Sequence, residues 1–534
     1  MKGVCKMYED VLKEYFPYPT PRKGQYETIQ NVLEAFESYD YCVLDAPTGF
    51  GKTSVARTML DYYAAEEYKD SYLLTSTKML QEQYYNECSD NKHLVNYQIA
   101  KGRGNFNCRE YNNLVNCNQG ACQEDTTEHY KCEYGMYGVD PRQNGGCYYW
   151  QQKADAIMSD VAIMNYDVLL SDYPNHYKHR DFMVLDEAHN IDNKVMQRVG
   201  LTLNNQRLGK LINFHLDVDD YDKTSIDYWL KILGDINHEL REHMVNSGHY
   251  NHTKRELDQI KRLEDKITLR IKEIKFDPSF WFVYGNKFED KVIIKPRDVS
   301  GYVKPMLLEK ADKHLFMSGS VINPNNFIKY LGLDADEVYY YQAESSFNMP
   351  RNNPILEKYC GSLTYKQKEK TLPKTYDAIE KILDKHKGEK GIIHCNSRDF
   401  RNKIMDNVDD DARFISYNTS EEKEEILEYF QESYMDDVIV AYSLEEGVDL
   451  PYDNISFQII FKTPYPFLGD PQVRARKEAD PEWYITETIR KLVQTHGRGM
   501  RAEDDHCTNY VLDSSFKGIL RNKICPQSFK ECVI

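Results

Sequence analysis

No apolar run in this sequence approaches the ~20 residues needed to cross a bilayer. The longest, such as Tyr41–Leu44 and Ile455–Phe461, are the length of single strands. No apolar core follows Met1-Lys2-Gly3-Val4-Cys5-Lys6, so a secretory leader is not read there. Repeats, low-complexity tails and obvious flexible linkers are missing as well. Together these gaps describe a globular, intracellular, cytoplasmic protein with no membrane partner. A basic excess is also missing, since the formal net charge is −17. That argues mildly against a nucleic-acid partner, but a basic groove can sit inside an acidic molecule.

What is present fills more than one domain. A chain of 534 residues exceeds what one hydrophobic core organises. Its 41% hydrophobic and 29% charged residues are ordinary for a globular protein. Up to about residue 100, strand-like apolar runs alternate with helical patterns, the signature of βα units. The pattern resumes through Phe182–His189, and again from about 345 with strands expected at Gly391–His394, Val438–Ala441 and Ile455–Phe461. Residues from about 200 to 280 read as mostly helical. Ile226, Trp229, Leu230, Ile232 and Leu233 form one set of apolar positions, and Leu257, Ile260, Leu263, Ile267, Leu269 and Ile271 another.

Between these stretches, residues 101–150 turn rich in Cys, Asn, Gly and Tyr with weak periodicity. Five of the 13 cysteines, Cys108, Cys117, Cys122, Cys132 and Cys147, fall here. Clustered cysteines in an intracellular chain point to metal rather than disulfides. Their spacing alone serves Zn²⁺ almost as well as iron.

Two segments specify phosphate chemistry. Ala46-Pro-Thr-Gly-Phe-Gly-Lys-Thr53 lies between the strand candidate Tyr41–Asp45 and a helical pattern, as a phosphate-binding loop should. Gly49 and Gly51 let backbone N–H groups face the phosphates. Lys52 reaches the terminal phosphates, and Thr53 holds Mg²⁺. Phe182-Met-Val-Leu-Asp-Glu-Ala-His189 supplies the second half: Asp186 for Mg²⁺, Glu187 to orient or activate the attacking water, and His189 to couple the site to motion. Far along the chain, Gln494-Thr-His-Gly-Arg-Gly-Met-Arg501 ends a helix capped by Asp480 and Pro481. Arg498 and Arg501 share a face if that helix continues, and arginines suit a transferring phosphoryl group.

With these residues in order, the chain resembles the XPD–DinG branch of iron–sulfur superfamily 2 DNA helicases over nearly its whole length, in a compact prokaryotic or phage version. Tyr18-Pro-Thr-Pro-Arg-Lys-Gly-Gln25 is similar to that family's adenine-sensing segment, with Arg22 and Gln25 in matching places. Leu74-Thr-Ser-Thr-Lys-Met-Leu-Gln-Glu-Gln83 resembles its DNA-contacting segment, and Met317-Ser-Gly-Ser320 its segment linking hydrolysis to DNA. Gly391–Arg398 and Glu446-Gly-Val-Asp-Leu450 resemble strand-end motifs of its second lobe.

The resemblance implies an α/β fold of two RecA-like parallel-sheet lobes. The first lobe takes residues 1–100, 148–195 and 285–345, and the second 346–534. An iron–sulfur domain at 101–147 and a helical arch-like insertion at 196–284 interrupt the first. It implies that Thr48, Asp449 and Gln494 join Arg22, Gln25 and the loop residues around ATP, with Glu446 and Gly447 nearby, and that Arg498 and Arg501 act across the cleft. It also decides for iron: a [4Fe–4S] cluster on Cys108, Cys122, Cys132 and Cys147, with Cys117 as substitute. The implied activity is ATP-dependent 5′→3′ movement on single-stranded DNA by a monomer that opens duplex or forked DNA. The alternative is a DNA-stimulated ATPase that remodels protein–DNA complexes without unwinding.

Overall fold

The computed structural model describes residues 12–89, 93–120, 134, 146–171, 177–217, 226–286, 290–344, 347–409, 411–442, 455–500 and 504–534. Two parallel sheets dominate it. The first contains β1 (Tyr41–Asp45), β2 (Ser71–Thr75), β3 (Tyr97–Ala100), β4 (Val161–Asn165), β5 (Arg180–Leu185), β9 (Ala311–Ser318) and β10 (Val338–Gln342). Their order across the sheet is β10-β1-β9-β5-β2-β4-β3. Every residue of β2 and β4 is buried, as expected of parallel strands covered by helices on both faces. One face carries Val43, Tyr72, Met164 and Leu185; the other carries Leu44, Leu73, Ile163 and Val184 beneath the helix Lys52–Ala65.

Three other strands lie outside this sheet. β6 (Leu201–Asn204), β7 (Trp281–Asn286) and β8 (Lys291–Pro296) pair antiparallel in the order β6-β8-β7. Sequence periodicity had suggested mostly helix from about 200. β6 has only four residues and finds its partner some ninety residues downstream, so no local pattern announces it. β8 does alternate between half-buried and buried positions. The helices between them match expectation better. Ile226–Val245 buries Trp229, Leu233, Ile236 and Leu240, and Lys254–Phe276 buries Ile260, Leu263, Ile267 and Ile274. The second begins at a reciprocal cap: Thr253 Oγ1 accepts from the Glu256 N–H, and the Glu256 carboxylate accepts from the Thr253 N–H at 3.1 Å. Leu269 departs from the expected apolar set and is 47% exposed.

The second large sheet is also parallel. β11 (Ile355–Gly361), β12 (Gly391–His394), β13 (Phe414–Ile415), β14 (Val438–Ala441), β15 (Phe457–Ile460) and β16 (Thr508–Asp513) run in the order β11-β16-β15-β12-β14-β13. β12 and β14 coincide with the runs read from sequence, and β15 lies within the third. Among the described residues, no helix is long and apolar enough to cross a membrane.

The lobes meet through specific ions. Arg476, in the helix Pro471–Ala479, donates to Asp192 at 2.7 and 3.3 Å. Its guanidinium lies between the rings of Tyr330 and Trp483, 4.1 and 4.2 Å from their centroids. Asp480 accepts from Lys329 and Tyr330 while capping the next helix, Pro481–Gly497. Lys295 of β8 pairs with Asp470.

Candidate nucleotide site and cysteine segment

Strand order creates the site. β1, β9 and β5 are neighbours in parallel register, with Asp45 opposite Ser318 and Leu185 opposite Phe316. Their C-terminal ends therefore present the phosphate loop, Ser318–Ser320 and Asp186–His189 side by side, at the edge where open α/β sheets bind ligands.

The loop requires its glycines. Gly49 and Gly51 have φ of 78° and 85°, a region that L side chains rarely adopt. A Cβ at Gly49 would also lie 2.0 Å from the Phe347 ring, and one at Gly51 2.4 Å from Gln25 Nε2. Gln25, buried, donates to the Phe50 carbonyl at 2.8 Å and accepts from the Arg22 N–H at 2.6 Å. The Arg22 guanidinium donates to the Gly49 carbonyl. Both residues expected near adenine thus hold the loop's backbone. Lys52 Nζ lies 3.3 Å from the Ala46 carbonyl at the start of the helix Lys52–Ala65.

Two buried tyrosines, neither singled out by sequence, complete the floor. Tyr84 donates to Asp186 Oδ2 at 3.0 Å, with the Thr53 side chain beside it. Tyr166 donates to the Asp186 carbonyl oxygen at 2.9 Å. The spacing of Gln81, Tyr84 and Cys88 on one buried face of the helix Lys78–Ser89 was the available signal. Asp45, behind the loop, has its carboxyl pushed up by burial, opposed by bonds from Tyr340 and the Val321 N–H.

His189 joins the sheets. Its Nδ1 meets Ser318 Oγ at 3.0 Å and Glu187 at 3.2 Å, and Gln494 of the second lobe donates to its Nε2 at 2.5 Å. Arg490 donates to its carbonyl. Burial, with Arg490 and Lys52 nearby, holds the imidazole well below its ordinary value, so it is neutral at pH 7. Gly497 closes the cleft, since a Cβ there would lie 3.1 Å from Thr48 Oγ1. The helix stops at Gly497 and Arg498 is its C-cap, so the supposed continuation to Arg501 does not supply a shared face. Arg501, Glu446, Gly447 and Asp449 lie outside the described residues.

Beneath Arg498 runs a buried polar chain. His394 donates to Gln458 at 3.0 Å, Gln458 to Asn509 at 3.0 Å, and Asn509 to Asn353 at 2.6 Å. Asn353 donates to the His496 carbonyl and its own carbonyl accepts from His496 Nε2. Burial pushes both His394 and His496 down to about 4.

The cysteine segment is built differently. Its described part folds as three short 3₁₀ turns, Arg103–Asn105, Arg109–Tyr111 and Cys117–Gln119. Arg103 stacks over Tyr149 and Trp150, and Arg109 over Tyr134 and Tyr148. Cys108 and Cys117 are buried, and Cys147 is half-buried at the N-cap of the helix Tyr148–Met158. Cys117 shares a side-chain hydrogen bond with Cys147. That bond, against burial and helped by the N–H groups of Trp150 and Tyr149, brings the Cys147 thiol down to about 6. Cys108 Sγ packs close to Gly120, three residues past Cys117. Among the described residues no group of three metal-ligating side chains converges. Cys122 and Cys132 lie outside the described residues.

Two family models match this architecture, and together they span well over half of the chain. One, described as a type III restriction enzyme res subunit, matches residues 18–211; the other, a helicase C-terminal domain, matches residues 379–532. The matches bear out a helicase, the class that the sequence's resemblance to the XPD–DinG branch implied. By class it is an ATP-hydrolysing helicase. The ATP-dependent DNA helicase YoaA of Haemophilus influenzae is 21% identical, covering 94% of this chain and 92% of that protein. A probable ATP-dependent helicase of Methanocaldococcus jannaschii is 25% identical over 37% of this chain and 32% of its own length. Among solved structures, an XPD helicase shares the fold at a TM-score of 0.65 and 16% identity, covering 94% of this chain and 97% of that one. The S. tokodaii Xpd4 structure gives 0.58 at 14%, covering 96% and 99%. Of the residues expected around ATP, Arg22, Gln25, Thr48, Lys52, Thr53 and Gln494 lie among the described residues, and Asp449 does not. Tyr84, Tyr166 and Arg476 are additions from the structure.

Proposed function

We propose that the protein is an ATP-dependent DNA helicase that moves 5′→3′ along single-stranded DNA and opens duplex or forked DNA. The observation that carries this reading is the bridge from Glu187 through His189 to Gln494, with Gly497 against Thr48. One nucleotide site is shared by two lobes, so filling and emptying it must move them relative to each other. YoaA, similar over nearly its full length, is named for DNA helicase activity, which supports DNA as the polymer.

In this reading Lys52 and the N–H groups of the loop hold the phosphates, and Arg22 and Gln25 fix the loop's shape. Thr53 and Asp186 would hold Mg²⁺; their hard oxygen donors, with Asp186 steadied by the Tyr84 hydroxyl, fit that ion, which neutralises phosphate charge when bound. Glu187 orients water, and the neutral His189 reports the state of that carboxylate to Gln494. Arg498, with Arg501 and Asp449, faces the phosphates from the second lobe. In this reading the lobes are divided as the sequence implies, with 101–147 as a separate element beside the DNA path.

For that element we favour a [4Fe–4S] cluster held by four of its five cysteines. The preferred set is Cys108, Cys122, Cys132 and Cys147; the meeting of Cys117 with Cys147 keeps Cys117 in play as the substitute. A bound cluster supplies order to a segment with little apolar core.

Strand separation by anaerobically purified protein, on matched duplexes with 5′ or 3′ tails, tests the proposal. Opening of the 5′-tailed duplex alone is the expected result. DNA-stimulated hydrolysis without opening of either duplex would replace it with a translocase.

A further inference from the structure

Tyr84 lies under the phosphate loop with its whole side chain buried, on a helix pinned by Gln81, whose amide donates to the carbonyls of Ala100 at 2.6 Å and Ile163 at 3.1 Å. Packing alone asks only for a ring there, because Phe fills the same space without burying a hydroxyl. The hydroxyl donates to Asp186 Oδ2 at 3.0 Å, with the Thr53 side chain beside it. Thr53 opens the helix that follows the loop, and Asp186 ends β5, two strands away across the sheet.

The Asp186 bond has a defined polarity, because a carboxylate can only accept and the tyrosine hydroxyl must donate. A carboxylate that ligates through one oxygen swings freely unless the other is held. Tyr84 holds it. We infer that Tyr84 is a positioning residue for the magnesium site, whose hydroxyl fixes one oxygen of Asp186 so that the other can face the cation. This rests on the nucleotide site proposed above.

The test is Tyr84→Phe, read as the Mg²⁺ concentration needed for half-maximal tightening of a fluorescent ATP analogue, before any hydrolysis. The analogue's affinity in EDTA and the thermal midpoint in EDTA are measured beside it. The expected result is a rise of about tenfold in the Mg²⁺ requirement, the loss of one charge-assisted bond to a metal ligand, with both EDTA values retained. An unchanged Mg²⁺ requirement overturns the inference. So does a fall in EDTA affinity and thermal midpoint that accounts for the whole effect, since that reduces Tyr84 to packing. A wild-type protein that binds the analogue without any response to Mg²⁺ overturns the nucleotide-site reading itself, which separates the two failures.

Discussion

The nucleotide end of the first sheet and the cysteine segment are anchored on opposite terms. At the nucleotide end, the phosphate loop, Ser318 and Asp186 stand at strand ends whose last four residues are buried, and the register between those strands sets them side by side. In the cysteine segment, the described backbone is held by short turns, and arginine–aromatic stacks supply much of the packing. The first region carries its geometry in the fold. The second, on the cluster proposed above, would be completed by a bound group held by its cysteines.

That contrast can be broken from either side. The largest effect belongs to Lys52→Ala, which should lower ATP hydrolysis by about 10²–10³-fold with an unchanged circular dichroism spectrum. Robust turnover by that variant would end the assignment. The reciprocal change, Cys147→Ser prepared without oxygen, should abolish bound iron and strand opening while DNA-stimulated hydrolysis persists. Equal loss of both activities would mean that the segment and the nucleotide end are one unit.

Arg476→Ala removes a buried cation shared by Asp192 and two rings. It should cost about 3 kcal/mol in chemical denaturation and should split one unfolding transition into two, because it cuts a link between the lobes. Acid should act on the nucleotide side as well. Burial keeps His394 and His496 neutral down to about 4, whereas unfolded histidine binds its proton near pH 6.5. The unfolded chain therefore holds more protons between those values. Stability should fall as pH drops from about 6.5 to 4, by roughly 1 kcal/mol per pH unit for each histidine. A flat denaturation profile across that window would mean that both rings are solvated. Leu269→Ala, on the exposed side of its helix, should change stability by less than about 0.5 kcal/mol.

How much of this was legible follows the same division. The phosphate loop, Asp186, Glu187 and the strands β12 and β14 are local in sequence, and each carries its chemistry in adjacent residues. Gln25 and Gln494 were reached through likeness, and the structure supplies their roles against Phe50 and His189. Tyr84 was hidden because a tyrosine on a buried helix face looks like core until its hydroxyl partners are known. Arg476 was hidden because its partners Asp192 and Tyr330 are far away along the chain. β6 was hidden for a related reason: four residues with a distant partner cannot outweigh helical spacing on one side.

The order of strands in the first sheet also sets a length. β3, which leads into the cysteine segment, lies six places from β10, after which the chain departs for the second sheet. At about 4.8 Å per place, that is roughly 29 Å of laterally hydrogen-bonded backbone. Such a span behaves as a beam rather than a hinge. A push delivered at the β10 edge arrives at the β3 edge without local give, so the two attachment points keep a fixed separation while the second sheet swings about its own, and the sheet between them serves as the molecule's ruler.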